Sequence, residues 1–384
     1  MPSDAADFSG DDPREPGPGH WIAKERLGPG AAPGWWLAAA IGLALLVATA
    51  LIALADEPGY RLRAEQAYQE SDGFLQGFHA LLGTVGARIL SGLAAGVATL
   101  STAIIARRLL HVEWPALLAA TLVAIDPAML VHGRLATPVA PASAAALVAL
   151  ALFMGRRPRT HWWASGLLTL ACFLEPVHLW WSLPLTAMAL VRGHIYAAPR
   201  HALVAGLQGL AIPLLGALLG LVGSSSLHDG CYQVRGLPGL FQMQGVDLGG
   251  FVATPNPITW FGGLVALLFL GTWALSQVLG QFRLQRLPGR VQIRLPDALR
   301  RIHGRVLWLV ALAVFAPTPI LWLPLFATAL AAGTHELSRD ARAFGVVVGL
   351  VLIVFAVIAT VQVANVLSLD LVDPALPWTE RVSC

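Results

Sequence analysis

Charged residues are scarce in this chain: they make up 12% of its 384 residues, whereas hydrophobic residues make up 56%. A water-facing globular surface needs more charge than this, so the composition excludes a soluble domain of any size. Cysteine is also scarce, and the three residues present are too few for a disulfide framework. Residues 1–34 lack the apolar stretch of a signal peptide, and their Pro, Gly and acidic residues predict a disordered cytoplasmic segment.

Apolar runs recur along nearly all of the remaining chain, separated by short polar breaks. Such runs satisfy their backbone polar groups internally as helices, which is the requirement for crossing a bilayer. The sequence therefore predicts an all-α polytopic membrane protein with about 11 transmembrane helices. The predicted spans are 35–55, 86–106, 114–130, 135–154, 162–174, 178–191, 202–222, 258–279, 306–315, 320–332 and 343–366.

One stretch, 306–332, allows two interpretations. Its arms flank Ala316-Pro317-Thr318-Pro319 and are each short for a span, so they form either a hairpin or one long kinked helix. The hairpin is favoured by charge, because it places Arg339 and Arg342 on the cytoplasmic side.

The distribution of positive charge predicts the orientation. Of the 25 Lys and Arg residues, 19 fall on the side of the N-terminus and six on the other. Positive residues concentrate in cytoplasmic loops, so we expect a multi-pass cell-membrane protein with its N-terminus inside and its C-terminus outside. The same rule explains the net charge of +3 without a nucleic-acid partner. The predicted segments are a membrane domain at 35–366, outer loops at 56–85 and 223–257, a basic cytoplasmic loop at 281–305 and an outer tail at 367–384.

Four of the residues predicted outside are candidates for a site. Arg88 and Arg134 lie at the mouths of spans, where a guanidinium either pairs, holds a phosphate in bidentate fashion or reaches to the headgroups. Asp56 and Glu57 follow the first span, where a carboxylate pair either supplies a general base or caps the interface.

Other polar residues predicted outside have simpler interpretations. Glu175 lies in an apolar turn and needs a partner, for which Arg134 and Arg88 are candidates. Cys231 and Cys384 are a candidate disulfide in an oxidising compartment. The histidines, among them His132, lack the spacing of metal ligands, so no metal site is predicted.

Several short segments occur in an order that resembles the C-type (GT-C) membrane glycosyltransferases, which use polyprenyl-phosphate sugars. Among these, the chain is most similar to the actinobacterial protein O-mannosyltransferases, over most of residues 35–384. The segments are Asp56-Glu57, Gly86-Ala87-Arg88-Ile89-Leu90-Ser91-Gly92, Ala106-Arg107-Arg108-Leu109-Leu110, Ala124-Ile125-Asp126-Pro127, His132-Gly133-Arg134-Leu135-Ala136, Trp163-Ala164-Ser165-Gly166 and Asn256-Pro257-Ile258-Thr259-Trp260.

The resemblance implies a GT-C-like helix arrangement and a specific chemistry. Asp56 would be the catalytic base for a Ser/Thr hydroxyl with Glu57 supporting it, and Arg88 would hold the lipid phosphate. The donor would be a polyprenyl-phosphate mannose, with no separate cofactor, and the acceptor an exported protein. Two departures favour an alternative: the family's His-Pro-Pro-x-Gly-Lys segment is missing, and Ala136-Thr137-Pro138 replaces its Leu-Leu-Asp. The alternative is a catalytically degenerate homologue that serves as an accessory subunit among other membrane subunits.

Overall fold

The computed structural model describes residues 34–53, 74–155, 158–192, 203–204, 206–222, 264–265, 309, 312–313, 315–316, 318–340, 347, 349–351, 353–354 and 357. Within these residues the regular structure is entirely helical, which confirms the all-α prediction for this part of the chain. The helices are α1 (Trp35–Ala53), α2 (Phe74–Leu110), α3 (Glu113–Ala124), α4 (Pro127–Arg134), α5 (Val139–Phe153), α6 (Pro158–Leu174), α7 (Leu179–Arg192), α8 (Ile212–Val222) and α9 (Pro319–Asp340). A 3-10 turn (Pro176–His178) precedes α7, and a π turn (Leu207–Ala211) precedes α8.

Two of these helices are long and apolar enough to cross a membrane, at Trp35–Ala53 and Ala80–Leu110. The first has 19 residues and is about 28 Å long, close to the roughly 30 Å of a hydrocarbon core. Further apolar helices are shorter, among them Val139–Phe153 and Ile320–His335. The two long helices indicate association with a membrane, and the number of about 11 spans stays a prediction.

The structure corrects the predicted third span, 114–130. This stretch contains two helices, α3 and α4, with a break at Ile125 and Asp126. Pro127 has no N–H to continue α3, and its fixed backbone angle suits the first position of α4. The predicted polar break at 131–134 is therefore helical, and the chain turns at 135–138 instead.

Two other predicted boundaries also change. Helix α2 begins at Phe74, so residues 74–85 of the predicted first outer loop are helical. This helix is interrupted at Gly83, whose φ of 64° and ψ of 173° are accessible to glycine. Helix α9 extends over 22 residues and is longer than the predicted arm 320–332, while Phe315, Ala316 and Thr318 before it are not helical. These non-helical residues exclude one uninterrupted helix over the stretch 306–332.

Small residues bring α1 and α2 into close contact. A Cβ atom added at Gly96 would lie 2.7 Å from the carbonyl oxygen of Ala44 and 3.0 Å from the Cβ of Ala48. One added at Gly92 would lie 3.2 Å from the Cβ of Leu51. Glycines four residues apart let two helix backbones approach closely. The sequence motif Gly92-x-x-x-Gly96 is thus a packing seam, and its partner is α1.

A second seam joins α6 and α8. A Cβ atom added at Gly216 would lie 2.8 Å from Cγ2 of Thr169, and one at Gly220 would meet the backbone of Phe173. Because both residue numbers increase together along the contact, the two helices run in the same direction. Helix α8 therefore ends at the same end of the bundle as α6.

Contacts between helix termini define one end of the bundle. A Cβ atom added at Gly34, just before α1, would lie 2.9 Å from Oε1 of Glu113 at the start of α3. The Arg108 guanidinium, late in α2, donates a hydrogen bond to the carbonyl of Ala151 near the end of α5. Helices α1 and α3 thus start where α2 and α5 end.

The start of α6 and the second half of α9 lie at this same end. The ring of His161 packs on Phe153 with centroids 5.8 Å apart, and His335 packs edge-on to Trp114 at 5.5 Å. We call it the tryptophan end, after four residues at the starts of α1, α3 and α6: Trp35, Trp114, Trp162 and Trp163.

Different contacts define the opposite end. Here a Cβ atom added at Gly133 of α4 would lie 2.7 Å from Cδ1 of Leu51 and 3.0 Å from the Cβ of Ala95. Ser143, near the start of α5, has its Oγ 2.9 Å from Oγ1 of Thr318, immediately before α9. We call it the buried-charge end, after the three charged residues Arg88, Arg134 and Glu175.

Candidate functional site

The charged side chains that the structure places differ in burial between the two ends. At the tryptophan end, Arg108 and Arg159 are exposed, and Arg107 and Glu113 are half-buried. At the buried-charge end the described charged side chains are Arg88, Arg134 and Glu175, and Asp126 lies one eight-residue helix away, just before the start of α4. All four are buried except the half-buried Arg134. Each of these four makes at least one polar or electrostatic contact within the protein. Burying charge is costly unless it is compensated, so this end is the part of the described structure where a site is most strongly indicated.

A hydrogen bond from α2 fixes the two arginines in one region. The Ser91 hydroxyl donates to the carbonyl of Leu135 at 2.6 Å and lies 3.3 Å from that of Thr137. Arg88 precedes Ser91 by three residues, which places it on the same face of α2, about one turn away. Arg134 directly precedes Leu135. The structure thus brings α2 at Arg88 and the end of α4 at Arg134 to the same side of the bundle.

Asp126 was not selected from the sequence as a site residue. It lies at the N-cap position of α4, directly before Pro127, and its side chain has no exposed area. Aspartate is a preferred N-cap residue and Pro a preferred first helical residue, so a capping role accounts for the pair. The signal that could have identified it is an acidic residue that interrupts an apolar run.

Two buried polar side chains beside the arginines have unsatisfied atoms. His132 is 4% exposed, and neither of its ring nitrogens has a hydrogen-bond partner in the protein. The Oγ1 of Thr137 is buried and likewise unpartnered. A buried polar atom without a partner costs about 1–3 kcal/mol. The fold would therefore be stabilised by replacing the polar side chain with an apolar one, or by a bound ligand that forms the missing hydrogen bond.

A second buried polar group links three segments at the same end. His178 lies between Glu175, whose carbonyl is 3.1 Å from its Nδ1, and Ser143, whose Oγ is 3.4 Å from its Nε2. Ser143 in turn contacts Thr318 at 2.9 Å. His178 can donate from Nδ1 to the carbonyl and accept at Nε2, as neutral imidazole does. This chain of contacts joins α5, the 3-10 turn and the start of α9.

These two histidines, which lie in short segments between the longer helices, predict different mutational effects. We expect His132→Leu to leave the free energy of unfolding at pH 7 unchanged or raised, because no hydrogen bond is lost. We expect His178→Leu to lower it by about 1–3 kcal/mol, because the Glu175 carbonyl loses the imidazole as a partner and Ser143 keeps only its contact with Thr318. Burial lowers the pKa of the His178 imidazole, in the turn between α6 and α7, from 6.5 to about 4. The unfolded chain therefore binds more protons between these values, and stability is lost as pH falls from about 6.5 to about 4.

Thermal unfolding of detergent-solubilised protein at pH 7 and pH 5 measures both effects. The His178→Leu variant should lose less stability on acidification than the wild type does, since this titrating group is gone. Equal unfolding temperatures for the two variants at pH 7 would contradict the contact assignment.

The remaining predicted site residues lie outside the described structure. These are Asp56, Glu57, Cys231 and Cys384. Asp56 follows the last described residue of α1, Ala53, by three positions in the sequence. Helix α1 ends at the buried-charge end. The described cysteine, Cys172, is buried in α6 with a free thiol.

Within the described residues, no group of three or more His, Cys, Asp or Glu is placed to hold a metal ion. The described donors at the buried-charge end suit an anionic or hydroxyl-bearing ligand, because guanidinium, hydroxyl and imidazole groups are all found there.

Comparison of the chain with family models, curated proteins and solved structures finds no match.

Proposed function

We propose that the protein is a membrane glycosyltransferase that transfers mannose or another hexose from a polyprenyl-phosphate sugar to a Ser/Thr hydroxyl of an exported protein. The observation that carries this proposal is the position of Arg88 and Arg134 on one side of the buried-charge end, where α1 also ends. A lipid phosphate needs cations at the depth of the membrane interface, and guanidinium groups match it in bidentate fashion.

The proposed mechanism assigns one role to each residue. Asp56 takes the proton of the acceptor hydroxyl as its oxygen attacks the anomeric carbon, and Glu57 supports that carboxylate. The bond between the anomeric carbon and the phosphate oxygen breaks, and the polyprenyl phosphate leaves. Arg88, with Arg134, stabilises the negative charge that develops on this leaving group. No separate cofactor takes part in this scheme.

The direction of the helices supports a multi-pass location in the cell membrane. Helices α1, α4, α6 and α8 end at the buried-charge end, whereas α2 and α5 end at the tryptophan end. This alternation is the one that the distribution of positive residues predicts, with the buried-charge end outside. The lipid-linked donor and the exported acceptor would both reach this face.

A second candidate function is favoured by the burial of Arg88, which is 7% exposed and already has a contact within the protein. A buried arginine can stabilise helix packing as well as hold a ligand. The protein would then be a degenerate homologue that supports other subunits of a membrane complex.

Purified protein with polyprenyl-phosphate mannose and a Ser/Thr-rich peptide distinguishes the two functions. We expect transfer by the wild type, and for Arg88→Lys a rise in donor KM or a fall in kcat that lowers kcat/KM about ten-fold or more, because lysine keeps the charge without the bidentate geometry. Arg159→Lys, an exposed arginine at the tryptophan end, is the matched control and should be fully active. Absence of transfer by the wild type, together with stoichiometric co-purifying membrane proteins, would instead support the accessory role.

A further inference from the structure

We propose that the tryptophan end is a lipid-anchoring surface that sits in the headgroup region of an anionic membrane leaflet. The proposal rests on the membrane location proposed above and is independent of sugar transfer. Its occupant is the phospholipid headgroup layer, with acidic lipids such as phosphatidylglycerol preferred over neutral ones.

The first observation is the exposure of four large aromatic side chains at this end. Trp163 is 74% exposed and Trp35 is 64% exposed, while Trp162 and Trp114 are 48% and 37% exposed. They come from the starts of three helices, α1, α3 and α6. Indole has an apolar body and one polar N–H, and it prefers the boundary between hydrocarbon and water.

The described tryptophans at the buried-charge end are less exposed. Among the described residues there, Trp181 is buried and donates its indole N–H to the carbonyl of Leu312 at 2.8 Å. Trp180 and Trp322 are half-buried. In the part of the chain that the structure describes, exposed tryptophan is therefore confined to one end.

The second observation is the surface between the two ends. Exposed leucines continue along the helices below the tryptophans, such as Leu45 and Leu46 on α1 and Leu215 and Leu219 on α8. Four exposed leucines on only two helices would be unfavourable in water but not against acyl chains. The tryptophans thus mark where this apolar surface stops, at the depth expected for the headgroups.

The third observation is charge. Three of the four described charged side chains at the tryptophan end are the arginines Arg107, Arg108 and Arg159, and the fourth is Glu113. The sum of these four charges is positive. A basic surface beside exposed indoles complements acidic headgroups, and each basic residue near such a leaflet strengthens binding roughly five-fold.

The full-length protein in phosphatidylcholine nanodiscs provides the test, with a small fraction of either phosphatidylglycerol or phosphatidylcholine brominated near the headgroup. Quenching of tryptophan fluorescence gives the relative affinity for the two lipids. We expect the wild type to prefer phosphatidylglycerol, Arg159→Gln to weaken that preference roughly five-fold, and the matched variant Glu113→Gln to strengthen it. The double variant Trp162→Leu/Trp163→Leu should lose much of the quenching, whereas Trp322→Leu should keep it.

Equal affinity for both lipids, or a preference that neither charge variant changes, would overturn the proposal. Extraction of the wild type from membranes by alkaline carbonate is measured separately. Release by carbonate would contradict the membrane location itself, whereas retention without lipid preference would contradict only the anionic surface.

Discussion

Asp56→Asn is expected to abolish sugar transfer while the protein still inserts into membranes and unfolds at the wild-type temperature. The substitution keeps the size of the side chain and removes the carboxylate that would take the proton of the acceptor hydroxyl. Loss of a general base lowers kcat by about 10²- to 10⁴-fold. The measurement is mannose transfer to a Ser/Thr-rich peptide by purified protein, with polyprenyl-phosphate mannose as the donor.

The matched control for this experiment is Glu70→Gln, which removes one carboxylate from the same segment between α1 and α2. It should transfer at close to the wild-type rate. If Asp56→Asn retains full activity in an active preparation, Asp56 is not the base, and the assignment of this residue fails even though the protein is an enzyme. Glu57→Gln then becomes the next variant to measure.

Gly96→Leu is expected to destabilise the fold by about 3 kcal/mol, at the upper part of the range for overpacking. The Cβ atom alone would lie 2.7 Å from the carbonyl oxygen of Ala44, and this backbone atom cannot move without shifting α1. The leucine side chain would therefore separate α1 from α2. A lower unfolding temperature in detergent and a smaller monodisperse fraction in size-exclusion chromatography would report this change.

Gly42→Leu is the matched control on α1 itself. A Cβ atom added at Gly42 has no neighbour within 4 Å, so leucine there extends into open space. Both substitutions remove a helical glycine and add the same side chain, and they differ only in what surrounds it. Equal unfolding temperatures for the two variants would show that the α1–α2 seam does not hold the bundle together.

Much of the fold was predictable because it depends on local chemistry. A low charge content and repeated apolar runs predict helices without strands, and the structure is all-helical in the residues it describes. The motif Gly92-x-x-x-Gly96 permits close helix contact, and the structure has that contact with α1. Helix boundaries were less predictable near proline, since hydropathy does not register the loss of an N–H at Pro127.

The candidate site was predictable only in part. The sequence selected Arg88 and Arg134 because they are basic residues at the mouths of two spans, on the side predicted to be outside. It did not select Asp126, because a single carboxylate within an apolar run carries no sign of its burial. Nor did it predict the contact between Ser143 and Thr318, which lie 175 residues apart. Such pairs depend on how distant helices pack, and no local pattern encodes that.

The sequence by itself determined the helical class, the orientation predicted from its positive residues and the residue types available to a site. The tertiary structure alone decided which residues meet. Close packing at Gly96 and Gly133 brings α1, α2 and α4 together, and this places the two arginines on one side of the bundle and gathers the exposed tryptophans at the other end. The physical reason is that composition and periodicity act along the chain, whereas burial and contact depend on packing between helices.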